Sequence, residues 1–163
     1  MKTNVDTQGK FTRISEVDQD QAPLTVIDLG PFNNHRNDIL AVNDVGQAAG
    51  VSLNPGTGRI EAFLQQNGDR SSLGTLGGSF SIARGINNRG EVVGGSLTAG
   101  DASFHGFLYR DQQLHDLNAM LEPGTGWELI QAFAINNRGE ILGLGAREGE
   151  DRIVLLRPSR DPA

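Results

Sequence analysis

Gly85-Ile86-Asn87-Asn88-Arg89-Gly90-Glu91-Val92-Val93-Gly94 recurs as Ala134-Ile135-Asn136-Asn137-Arg138-Gly139-Glu140-Ile141-Leu142-Gly143. A looser copy stands at Ala41-Val42-Asn43-Asp44-Val45-Gly46-Gln47-Ala48-Ala49-Gly50. The lead asparagines Asn43, Asn87 and Asn136 are 44 and 49 residues apart. Recurrence at such a period marks one supersecondary unit stacked on copies of itself. The chain therefore reads as three repeats, and a repeat speaks to architecture before it speaks to chemistry.

Each copy is a hairpin in miniature. An asparagine bonds its own backbone two residues on, and the glycine accepts the positive φ of a tight turn. Gly46, Gly90 and Gly139 are accordingly expected at positive φ. Working outward from Asn87, the second repeat reads as strands over 81–86, 91–96, 104–109 and 114–118, with Asp111-Gln112 turning the third strand into the fourth. The first repeat has the same order over 37–42, 47–52, 60–65 and 70–74. The third has only 129–135, 140–145 and 152–157. A fourth-strand pattern appears instead near the other end, where Leu24-Thr25-Val26-Ile27-Asp28-Leu29-Gly30 parallels Leu114-His115-Asp116-Leu117-Asn118. The expectation is an all-β chain of three four-stranded antiparallel repeats, in which this N-terminal strand completes the last repeat and covers its edge. Residues 1–22 read as a flexible arm, 23–158 as the repeat domain and 159–163 as a tail.

Composition narrows the function classes. Twenty-two glycines and 37% apolar residues fit many turns around a modest core. A net charge of -6, with no Lys/Arg cluster, argues against nucleic acid, whose phosphates need a basic face. No apolar run approaches the length of a membrane span. The polar first 22 residues lack the apolar stretch of a signal peptide. As written the chain reads as cytoplasmic, and a shortened extracellular chain would read the same. With no cysteine, disulfides and thiolate metal sites are excluded.

Three further stretches carry a resemblance. Ala83 to Gly94, His105-Gly106-Phe107-Leu108 and Ser72-Leu73-Gly74-Thr75-Leu76-Gly77-Gly78 are similar to the HAF repeat family, over roughly residues 28–157. That family has an Ala-x-Ala-Ile-Asn strand, a Gly turn, Gln/Glu-Val-Val-Gly, His-Ala-Phe-Leu and Asp-Leu-Gly-Thr-Leu-Gly-Gly. The chain departs from it where Glu61 and Arg152 replace the histidine, and where Gly106 and Ile153 replace the alanine. The resemblance implies extracellular propeller-like arrays and no settled activity. Propellers typically need four to eight blades, so three blades suggest two chains closing a six-bladed homodimer. A β-trefoil or a β-prism is the alternative for twelve strands in three similar units.

Chemistry, if any, belongs where loops depart from the repeat. The loops before the three first strands contain His35 and Arg36, Phe80, and Trp127. A His, an Arg and two aromatics suit a small polar-aromatic ligand or a sugar, and the plainer reading has Phe80 and Trp127 plugging gaps between repeats. On the first strands, Arg84 departs from Leu40 and Phe133. With Asp38 it could meet an anion or polarise a carbonyl, the plainer reading being an arginine snorkelling to solvent. These six residues are the candidate ligand-binding set. Asn43, Asn87 and Asn136 read as turn formers, and Asp116 as a structural hydrogen-bonding group. His115 pairs with Leu108, not with His105, so the two histidines do not converge. No catalytic motif, phosphate loop, metal-ligand spacing or cofactor fingerprint is present. The leading reading is a non-enzymatic module binding a small molecule or protein on one loop face. A cofactor-free cyclase, isomerase or lyase with an apolar axial pocket, and a lectin-like sugar binder, are the alternatives.

Overall fold

A computed structural model describes residues 4–5, 11–12, 26 and 38–159. The chain divides into two units, residues 1–30 and 31–163. In the first, β1 (Asn4–Val5) pairs antiparallel with β2 (Phe11–Thr12). The second unit is all-β. Its strands are β3 (Asp38–Val42), β4 (Ala48–Asn54), β5 (Arg59–Gln66), β6 (Asp69–Gly74), β7 (Gly77–Ile86), β8 (Val92–Thr98), β9 (Phe104–Arg110), β10 (Gln113–Asp116), β11 (Glu128–Ile135), β12 (Ile141–Arg147) and β13 (Glu150–Leu156). Consecutive strands pair antiparallel within β3–β6, β7–β10 and β11–β13. A single parallel pairing, Ile60 with Phe80, joins β5 to β7, so β3–β10 form one sheet and β11–β13 another. Among the described residues neither sheet closes on itself. No helix here is long and apolar enough to cross a membrane.

The repeated asparagines do more than turn the chain. The Asn87 Oδ1 accepts from the backbone N–H groups of Arg89 and Glu91, at 3.0 and 3.1 Å. Its Nδ2 donates to the Glu91 carboxylate and, 3.1 Å away, to the carbonyl of Asn136 in the next repeat. Asn43 does the same with Val45, Gln47 and the Asn87 carbonyl, the last at 2.9 Å. A second rung lies beside the first: the N–H of Asp44 donates to Asn88 Oδ1, and that of Asn88 to Asn137 Oδ1. The three hairpin tips thus form a continuous ladder. Gly46, Gly90 and Gly139 have φ of 79°, 74° and 78°, as the turn chemistry requires.

Each first strand bulges at one equivalent place: Leu40, Arg84 and Phe133 are skipped in the pairing. Directly before the bulge stands a glycine partner, Gly50, Gly94 or Gly143. A Cβ on Gly94 would lie 1.9 Å from the Ile82 carbonyl oxygen, and one on Gly50 1.9 Å from that of Asp38. The repeated glycine is therefore needed for backbone approach.

The repeats pack face against face. Ala49, Ala62 and Leu73 of the first meet Ala83, Ile86, Val92 and Phe107 of the second in one buried cluster. Val93, Leu108 and Leu117 of the second meet Leu129, Ala132 and Ile141 of the third in another. The second repeat thus has a front face, covered by its predecessor, and a back face, covered by its successor, and the corresponding faces of the other two repeats are named alike. Polar groups seal the joints. The buried Ser81 hydroxyl accepts from the Ala62 N–H and donates to the Gly74 carbonyl. Asn118 brackets Leu129, accepting from its N–H and donating to its carbonyl.

Several expectations are corrected. The segment before the second repeat is strand from Gly77, because Gly77 pairs with Thr98, so Phe80 lies in β7 and not in a loop. β10 stops at Asp116, whose carboxylate accepts from the Asn118 N–H and winds Leu117–Met120 into a 3-10 turn. The third sheet has three strands among the described residues. Of the proposed completing strand Leu24–Gly30, all but Val26 lie outside the described residues, and Val26 is in no strand. The Asp111-Gln112 turn and the pairing of His115 with Leu108 stand as expected.

Asn87→Ala should lower unfolding free energy by about 2–4 kcal/mol in urea titration, because it strips four hydrogen bonds from a buried turn. Asn136→Ala should cost only about 1 kcal/mol, since that turn is exposed and supports no further rung. Gly94→Ala should cost about 3 kcal/mol, against about 1 kcal/mol for Gly46→Ala, where the added methyl meets no neighbour and only the positive φ opposes it.

Acid should also weaken the fold through Glu61. Burial pushes its carboxyl up, but hydrogen bonds from Ser72, Asn54 and Thr57, with the charge of Arg59, outweigh this and hold it below the usual carboxylate value. A depressed folded pKa gives stability that is present above the unfolded value, near 4.5, and is lost as pH falls through the folded one. Glu61→Gln should therefore flatten the loss of thermal stability below about pH 4.5.

Candidate functional site

The six residues singled out in the sequence do not converge. His35 and Arg36 lie outside the described residues. Asp38 is exposed at the start of β3, and Arg84 is exposed at the β7 bulge. Phe80 packs its ring against Phe104 of the same repeat, with centroids 6.3 Å apart. Trp127 lies under the Arg147 guanidinium, 5.7 Å from its ring centre. No hydrogen bond, ion pair or ring contact joins any two of Asp38, Phe80, Arg84 and Trp127.

His105 does find a partner. Its Nδ1 is 2.7 Å from Asp116 Oδ2, and its Nε2 is 3.9 Å from Glu128. The repeat explains the pair. Glu61, at the place of His105, accepts from Ser72, at the place of Asp116. The position clamps the third strand of a repeat to its fourth, and the same Asp116 carboxylate caps the 3-10 turn. Among the described residues no group of His, Asp and Glu side chains is placed to hold a metal ion.

The third repeat presents the more informative surface. Its β13 carries Ile153-Val154-Leu155-Leu156, apolar on both sides of the strand. Successive strand residues face opposite ways, so such a run suits a strand covered on both faces. Val154 and Leu156 pack on the second repeat. Ile153 and Leu155 face away, 69% and 53% exposed, beside the exposed Leu142. The pairing registers identify their counterparts. Leu142 and Leu155 stand where the second repeat has Val93 and Leu108, both buried beneath the third. The first repeat has Ala49 and Leu64 there, packed into the first core cluster. The exposed patch is thus a back face without a successor among the described residues.

A cavity of about 540 Å³ lies beside it, between the second and third repeats. Leu108, Leu117, Leu121, Ile135, Ile141 and Leu156 form its apolar wall, and Arg89, Glu91, Arg110 and Arg157 bring charge to it. Among the described residues it lacks filling that the first junction has. Between the first and second repeats, Tyr109 and Leu114 pack against the shared core. Leu156 replaces Tyr109 in the third repeat, and no described residue replaces Leu114. Arg152, at the place of His105, meets no fourth-strand acid among the described residues and pairs with its neighbour Glu150. The sequence signal for this surface is the unbroken apolar run of β13, which alternation-based reading treats as buried strand.

Compared with family models, with curated proteins and with solved structures, the chain matches none.

Proposed function

We propose that the chain is a non-enzymatic protein-binding module built of propeller-blade-like repeats of the HAF type, with the open side of the third repeat as its docking surface. The observation that carries this reading is the two-sided apolar strand Ile153-Val154-Leu155-Leu156, whose outward residues are exposed where their counterparts in both other repeats are covered. Leaving such a patch in water forgoes about 25 cal/mol per Å² of apolar surface, and contiguous exposed patches of this kind mark interaction sites. What fits the back face is what fits the other back faces: the bulged first strand of a β-repeat, small and aliphatic on the contacting side. This moves the binding surface from the loop face expected from sequence to the end of the array. The cavity between repeats supports a second reading, an apolar small molecule held beneath Arg110 and Arg157.

A photo-reactive diazirine residue in place of Ile153, irradiated in the producing cells, separates the two. The docking reading expects a polypeptide adduct at position 153, suppressed by Leu155→Asp and not formed from the same residue placed at the exposed Asp111. Adducts no richer at 153 than at 111 would overturn it.

A further inference from the structure

We infer that the occupant of the third repeat's back face is the first repeat of a second copy of this chain, docked head to tail and closed as a two-chain ring. The inference rests on the docking reading above and names its partner. Three observations carry it.

The first is the other end of the array. Ile39 and Val42 occupy the places of Ala83 and Ile86 in the second repeat and of Ala132 and Ile135 in the third. Those counterparts lie in or against the two core clusters. Ile39 and Val42 are 44% and 70% exposed. On the same face Ala48 and Phe63 are already buried, Phe63 under the guanidinium of Arg70. The apolar exposure is thus concentrated on the strand that, in the other two repeats, meets the preceding back face.

The second is the ladder. Asn136 holds its own turn through Oδ1, while its Nδ2 donates only to Glu140 and has no next carbonyl among the described residues. In the two formed junctions that Nδ2 also reaches the following lead asparagine's carbonyl. A docked first repeat brings the Asn43 carbonyl to this position, with no change in the turn.

The third is charge. Arg89 reaches across to the Asn137 carbonyl at 2.7 Å. Arg138 holds the equivalent place in the third turn, exposed, its guanidinium making no hydrogen bond among the described residues. Opposite it the ladder would place Asp44, the one carboxylate among three residues that are otherwise Asn88 and Asn137. The Asn137 N–H would donate to that carboxylate as Asn88 N–H donates to Asn137, and Arg138 would neutralise it. Asn at position 44 would continue the ladder equally well, but only Asp pairs with Arg138.

The two end faces are different from each other and complementary, so the contact is heterologous. Two copies close it if the stacking angle allows, and open polymers form if it does not.

The test uses two blocked chains. Ile153→Asp closes the back face and Val42→Asp closes the front face. Both residues are exposed, and a parent-like far-ultraviolet circular dichroism spectrum with a cooperative melt shows that each variant folds, since loss of a dimer by itself lowers the melting temperature; Leu142→Lys and Ile39→Lys are the substitutes if either does not. Sedimentation at tens of micromolar should give twice the 17.4 kDa chain mass for the parent and the single mass for each variant alone. An equimolar mixture should recover a dimer, through the one junction left intact. Arg138→Asp should weaken the parent dimer at least tenfold, and mixing it with Asp44→Arg should restore association. Val42→Asp dimerising alone would mean back face on back face and would overturn the inference. A monomeric or polymeric parent would overturn it too. If the parent is monomeric yet the residue 153 cross-linker captures another polypeptide, the choice of partner fails and the docking reading stands; without an adduct both fail.

Discussion

A single carboxamide couples the hairpin to the stack. In each asparagine turn the side-chain oxygen is spent on two N–H groups of its own hairpin, which fixes the orientation of the amide. The nitrogen is then aimed, and in the two formed junctions it finds the carbonyl of the following turn at 2.9 and 3.1 Å. Local geometry and inter-repeat register therefore depend on one another. A turn that slipped would lose its cross-repeat bond, and a repeat that slid would leave a buried amide with an unsatisfied donor, which costs more than the bond is worth when made. Asn87, bonded in both directions and buried, is where this coupling is strongest.

Direction follows from the same device. In both formed junctions the lead asparagine and the backbone N–H after it donate forward, while among the described residues Asn88 Nδ2 alone donates back, to Asp44, and each sheet has a front face unlike its back. On the front faces the contributing residues include Ala83 and Ala132 on the bulged strands, which let the preceding repeat approach closely. Gly85 shows how close: a methyl there would stand 2.9 Å from the Ala134 Cα. An array with this polarity ends in two dissimilar surfaces. That distinguishes it from a flat sheet edge, which offers the same backbone groups to any strand, and confers selectivity on whatever covers the ends.

Much of the local structure is legible in single residues. Asn-x-x-Gly specifies its turn because the hydrogen bonds that form it are within four residues, and the positive φ of Gly90 needs no tertiary partner. Strand places in all three repeats follow from alternation and turn spacing. Asp116 was recognisable as structural from its repeated position. Phe80 was not placed correctly, because its strand begins at Gly77 through a pairing with Thr98, twenty-one residues away, that no local pattern announces. Nor could the candidate ligand set be judged: a loop residue and a packing residue have the same letters, and only the ring of Phe104 decides which Phe80 is.

By itself, the amino-acid order determined the three recurring asparagine hairpins, their glycine-dependent turns and the all-β class, since these rest on backbone conformations and hydrogen bonds closed within a few residues. Which apolar residues are covered was decided only by tertiary structure. Leu108 and Leu155 occupy one position in two copies of one pattern, yet the first is buried and the second exposed, because burial belongs to the neighbour that arrives and not to the residue that waits.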